Sequence, residues 1–299
     1  MDPPKKRAKA SGSSSAVQQP IDETTRIETE YLQVMRPKRF DSVALLDACR
    51  AGTASHSLLA SSYSSSSSSS SYSFSTPVPQ RNTMIRIAKE MSSMNTSLPV
   101  ELGSAIFVRC DEERSDVMKA LIIGPEGTPY AHGCFEFDIL LPSNYPNSPP
   151  KVLLVTTGGG TVRFNPNLYN CGKVCLSLLG TWAGPGWNPQ TSTLLQVLVS
   201  IQSLIMVPDP YFNEPGYEQT RFSPAGIASS NQYTENIRRQ TFNFAILQQL
   251  QRPSTIFRDV IRDNFRIKGP LIVRDLKPYI SGANLSAFQT ALQSLSSST

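Results

Sequence analysis

The chain has 299 residues, a hydrophobic content of 39% and a formal net charge of +5, enough for one or two domains with a sizeable core. No apolar run approaches the about 20 residues that a membrane span needs. The five irregularly spaced cysteines do not form a disulfide framework and suit a reducing compartment, and the start has basic residues but no apolar stretch, so it does not read as a secretory signal.

In chain order, residues 1–20 are rich in Ser, Pro, Ala and Lys and offer no face to bury, so disorder is expected. The cluster Lys5-Lys6-Arg7-Ala8-Lys9 after Pro3-Pro4 reads as a nuclear import signal. No aromatic residue interleaves with it, so a nucleic-acid stacking platform is not expected. Ile27, Tyr31 and Met35 recur every four residues and allow a short amphipathic helix that Pro37 ends. Residues 61–75 are nearly all serine and read as a linker. A core begins near Arg81, with a helix carrying Met84, Ala88, Met91 and Met94 on one face and Thr83 as its N-cap. Strands are expected over 104–109, 118–123, 134–141 and 152–155. Residues 156–190 lack periodicity, and a loop of that length in a compact domain is usually functional. A helix over 193–206, apolar on most faces, should be buried at the centre. Further helices are expected over 232–251, 254–265 and 285–295.

The long loop holds the chemistry. Asn165-Pro166-Asn167 is followed by Cys175 eight residues after Asn167, within FNPNLYNCGKVCLSLL. Tyr145-Pro146 precedes Pro149-Pro150-Lys151-Val152, and Trp187-Asn188-Pro189 and the run from Tyr211 to Glu218 follow. These motifs, in this order from about Arg81 to about Arg258, resemble the ubiquitin-conjugating enzymes. The likeness is to a subgroup of large conjugating enzymes that includes a giant BIR-repeat-containing member. The resemblance implies an α/β (α+β) fold: a four-stranded antiparallel sheet with an N-terminal helix, a central helix and C-terminal helices. It implies three regions: a mostly disordered 1–80, a conjugating core over 81–252 and a helical extension over 253–299.

The resemblance makes Cys175 the nucleophile that takes ubiquitin as a thioester. Asn167 is then either an amide donor to the oxyanion or the strut that holds the loop. Glu214 matches an acidic position facing the incoming lysine, with Asn213 as the competing residue. Ubiquitin, an activating enzyme, protein substrates and, where one takes part, a ligase are the implied partners; no nucleic acid or membrane is expected. The activating enzyme consumes ATP, so no cofactor or metal is expected here, and the location is cytoplasmic, nuclear or both. Arg86 and Lys89 are candidates for docking the activating enzyme. Asn147 stands where many ligase-docking relatives carry a bulky apolar residue, which removes that anchor.

Other readings remain open at this stage. Cys175 could be a buried structural cysteine. Cys171 and Cys175 could be half of a zinc site, but no second pair lies at ligand spacing. A Cys–His protease would need His56 or His132 beside Cys175. The modifier could be another ubiquitin-like protein, or the chain could be a non-catalytic ubiquitin-binding adaptor. Cys171, with Gly172 beside it, also suggests a disulfide that would switch Cys175 off.

Overall fold

The sheet organises the molecule, and in the computed structural model both of its faces are covered; residues 22–60 and 79–296 are described. The expected meander is present as four antiparallel strands: β3 (Ser104–Asp111), β4 (Val117–Ile123), β5 (Cys134–Leu140) and β6 (Lys151–Leu154). The sheet is larger than expected and mixed. β2 (Val100–Glu101) folds back antiparallel on the start of β3, and β1 (Phe40–Val43) pairs parallel with its end. The register Phe40↔Val108 to Val43↔Asp111 puts the N-terminal segment into the sheet edge.

Residues 22–60 therefore correct the expectation of a mostly disordered region up to residue 80. α1 (Glu23–Met35) does bury Ile27, Tyr31 and Met35, the spacing read from sequence. α2 (Leu45–Arg50) buries Leu45, Leu46 and Cys49, and α3 (Ser57–Ala60) follows. The physical reason is a partner: these short apolar stripes cannot offset chain entropy alone, but the sheet's outer face and the C-terminal helices bury them. The expected Ser-rich linker over 61–75, the tail 1–20 and its basic cluster lie outside the described residues.

Alternation along the strands separates two cores. On β4, Met118, Ala120 and Ile122 face an inner core with α4 (Arg81–Ser97) and α5 (Leu194–Ser200). Val117, Leu121 and Ile123 face an outer core with α1, α2 and α8 (Arg258–Leu276). α6 (Pro224–Gln240) runs through a π-turn (Thr241–Leu247) into α7 (Gln248–Gln251), and α9 (Gly282–Ser296) closes the chain.

Helix boundaries moved where capping decides them. α4 starts at Arg81 with Gln80 as N-cap, not Thr83; the Thr83 hydroxyl sits one turn in and donates to Tyr145 O at 2.7 Å. α5 starts where Thr193 and Gln196 form a capping box. α6 begins well before residue 232, because Ser223 caps it and Pro224 occupies its first turn. α8 runs past residue 265 and carries Pro270 inside it; packing of Phe265, Ile267, Leu271 and Ile272 against the outer core outweighs the lost hydrogen bond.

Candidate active site

The loop between β6 and α5 owes its shape to a small hairpin. Asn165 bridges Leu168, and Leu168 bridges Val174. Cys175 N–H donates to Asn167 O, and Asn167 Nδ2 donates back to Cys175 O, both at 2.9 Å. This two-bond ring fixes Cys175 relative to Asn167 eight residues earlier. Gly172 turns the hairpin at φ +87°, and a Cβ there would stand 2.7 Å from Leu154 O, so a side chain would displace β6.

Asn165 anchors the base of the hairpin to the core. Its Nδ2 donates to Tyr130 OH at 3.0 Å and to Ile205 O at 2.8 Å, and its Oδ1 accepts from Asn167 N–H at 2.8 Å. Ile205 closes a π-turn, Ile201–Ile205, at the end of the central helix. Such a turn frees carbonyls from the helical ladder, and here Asn165 and Asn213 take up two of them. On the far side of the cysteine, Thr181 Oγ1 accepts from Leu176 N–H at 3.0 Å and lies 2.8 Å from Val174 O. The residues either side of Cys175 are thus held by one hydroxyl.

Cys175 is 3% exposed and lies in a cleft of about 300 Å³ with Asn167, Ser177, Trp182, Leu204 and Asn213. Trp182 and Ala183 form its wall. Burial pushes the thiol pKa up, while Lys173 and Arg163 pull it back down. The site therefore holds a thiol at neutral pH and lets nearby cations favour the thiolate.

Two of the three expected site residues meet in this cleft. Asn167 is there, but its amide nitrogen is engaged by the Cys175 carbonyl, which is the strut geometry. Glu214 is not among the lining residues: its carboxylate pairs with Arg163 at 3.1 Å, and Asn213 faces the cleft in its place. Asn213 Nδ2 reaches Asn165 Oδ1 and Leu204 O, each at 3.3 Å. Arg163 also donates to Pro166 O at 2.7 Å and stacks on Tyr169 at 4.3 Å, so the Glu214 pair ties two loops together.

The remaining expectations resolve on geometry. Arg86 is consumed internally by Glu90, Pro189 O and Ser192 O, which leaves Lys89 as the free candidate of that pair. Cys171 is exposed near the hairpin turn, whereas Cys175 is buried at its base beside Asn167, and Cys171 is still near enough to push the Cys175 thiol pKa up. His56 binds Met118 O and Ile139 O, and His132 binds Asp275; both side chains belong to the outer face, away from Cys175. Among the described residues no group of His, Cys, Asp or Glu could hold a metal ion. Sequence reasoning missed Tyr130 and Arg163, whose partners lie far along the chain, and missed the role of Thr181.

The family described as Ubiquitin-conjugating enzyme matches residues 86–240. The Dual E2 ubiquitin-conjugating enzyme/E3 ubiquitin-protein ligase BIRC6 of Homo sapiens is 45% identical over 280 residues, covering 93% of this chain and 6% of that protein. The protein of the same description from Mus musculus is 59% identical over 186 residues, 61% of this chain and 4% of its own length. The Probable ubiquitin-conjugating enzyme protein 17 of Caenorhabditis elegans is 49% identical over 207 residues, 68% of this chain and 28% of that protein. The chain thus spans only a small part of the length of these relatives.

Proposed function

Since the chain belongs to the ubiquitin-conjugating enzyme family, we propose that it accepts ubiquitin as a thioester on Cys175 and passes it to a lysine of a protein substrate. The carrying observation is a single cysteine in an open cleft, braced on both sides by Asn167 and Thr181. Attack of the Cys175 thiolate on an activated ubiquitin carboxyl group displaces the carrier, and the lysine amine then displaces Cys175. Ubiquitin and an activating enzyme are the partners this requires, with ATP spent by the latter. Neither step calls for a cofactor in this chain. Asn167 keeps the sulfur's loop in place, and Asn213, its nitrogen held by Asn165 and Leu204, offers its side-chain oxygen to the incoming amine. Lys89, on the exposed face of α4, supports activating-enzyme docking. The basic cluster Lys5 to Lys9 supports a nuclear as well as a cytoplasmic location.

The test is incubation with ATP and matched activating enzymes for ubiquitin and for other ubiquitin-like proteins, read on a non-reducing gel, then addition of free lysine. The expected result is a reductant-sensitive adduct with ubiquitin that lysine discharges. An adduct with a different modifier alone would assign the chain to that modifier, and no adduct with any would refute the proposal.

A further inference from the structure

The outer face of the sheet carries a charged group that the transfer chemistry does not use. Lys119 on β4 is 2% exposed and lies between two carboxylates of β5, Glu136 Oε1 at 2.7 Å and Asp138 Oδ1 at 2.5 Å. Burial works against the charged lysine, but the two carboxylates outweigh it and raise its pKa. Burial lowers the pKa of the neighbouring His56, which favours its neutral form. One buried cation therefore faces two buried anions, and the group keeps a net negative charge.

Asp138 is satisfied: its second oxygen accepts Ser57 N–H at 2.6 Å. Glu136, 5% exposed, is not: among the described residues its Oε2 has no donor. Glu136 and Lys119 open into a pocket of about 400 Å³, which Gln249 also lines. Gln249 Oε1 is buried there without a hydrogen-bond partner. Glu136 Oε2 is thus an uncommitted acceptor, the unpartnered Gln249 amide can present its oxygen on the same wall, and beside a net negative charge the two select a positively charged donor.

Parts of the chain outside the family match complete the pocket. Its floor is the sheet, but its rims are residues 52–55 before the match and 252–255 after it. Thr255 Oγ1 donates to Thr53 O at 2.9 Å and joins the two rims. Arg252 also lines the pocket; it is exposed, so solvent screens its repulsion.

We propose that this pocket binds a protonated primary amine on an aliphatic stem, its ammonium donating to Glu136 Oε2 and Gln249 Oε1. A lysine side chain of a partner protein and a small free alkylamine share this chemistry. The pocket is on the opposite face of the sheet from Cys175, so occupancy does not compete with the thioester.

The experiment is an amide-resolved NMR titration of the full chain with pentylamine, a blocked glycyl-lysyl-glycine peptide and pentanoate. Pentylamine is expected to shift the Lys119, Glu136 and Gln249 amides saturably, and pentanoate is not. Binding of the blocked peptide as well would assign the site to a lysine side chain, and its failure would assign it to small amines. E136Q should weaken amine binding by about tenfold or more, the size of one charge-assisted hydrogen bond. Should E136Q unfold, S55W plugs the mouth from an exposed loop without touching the charged group and should abolish the shifts. The proposal is overturned if no amine saturates the site, if pentanoate binds as well as pentylamine, or if folded E136Q or S55W binds as the wild type does.

Discussion

Asn167 and Cys175 brace each other through two 2.9 Å hydrogen bonds, so a change at either is felt at both. Asn167→Ala leaves the Cys175 carbonyl without its donor and is expected to cost about 1 kcal/mol of local stability. Loading and discharge should slow together in single-turnover assays. A selective loss at discharge near ~3 kcal/mol would instead show the amide leaving the strut to serve the oxyanion. The thiol has its own signature. Its pKa is raised, so the thiolate is scarce at neutral pH and loading should still climb past the ordinary thiol value of 9.0. Lys173→Ala removes a cation that lowers the pKa and should shift that profile further upward; an unmoved profile would show that Lys173 does not reach the sulfur. The cysteine and its Asn-Pro-Asn partner were legible in sequence because their spacing is local. Tyr130 and Arg163 were not, because the contacts with Asn165 and Glu214 that give them meaning join residues 35 and 51 positions apart.

The flanking helices behave as parts of the fold. Tyr31 is fully buried, and Tyr31→Ala is expected to cost about 3 kcal/mol or more, as large aromatic truncations in cores do. Denaturant unfolding measures this, and a change under 1 kcal/mol would show that α1 is only loosely docked. Deleting residues 1–60 removes β1 and the α1 and α2 cover of the outer core, so the truncated chain should aggregate or melt early rather than load normally. The stripe Ile27, Tyr31, Met35 was readable as a helix, but its partner was not, since α8 lies more than 220 residues further on. Distance along the chain also hid β1: a four-residue strand has no periodic signal of its own, and only pairing of Phe40–Val43 with the end of β3 creates it. The boundaries of α6 and α8 were misplaced for opposite reasons. At α6 a cap and a proline were present but not weighed, and at α8 packing overrode Pro270.

At the scale of the whole molecule, two buried histidines tie the flanks to the core and set a pH limit. Burial lowers the pKa of both His56 and His132 below the ordinary 6.5. A lowered folded value means that the unfolded chain binds more protons, so stability is complete above 6.5 and declines as pH falls below it. Asp275, its carboxyl held down to about 2 largely by the His132 hydrogen bond, adds a second loss between its ordinary 3.8 and about 2. The thermal midpoint should therefore fall as pH drops through 6.5, and folded His56→Gln should flatten that slope; a flat wild-type profile would show that neither histidine is locked neutral. The proposed function turns on which atom of the active-site loop carries the acyl group. The most direct measurement is mass spectrometry of the ubiquitin-loaded chain, with the adduct mapped among its five cysteines. The adduct is expected on Cys175 alone, with none in Cys175→Ala and a slower, reductant-resistant ester in Cys175→Ser. Loading of Cys175→Ala at the wild-type rate, or an adduct mapped to Cys171, would contradict this expectation.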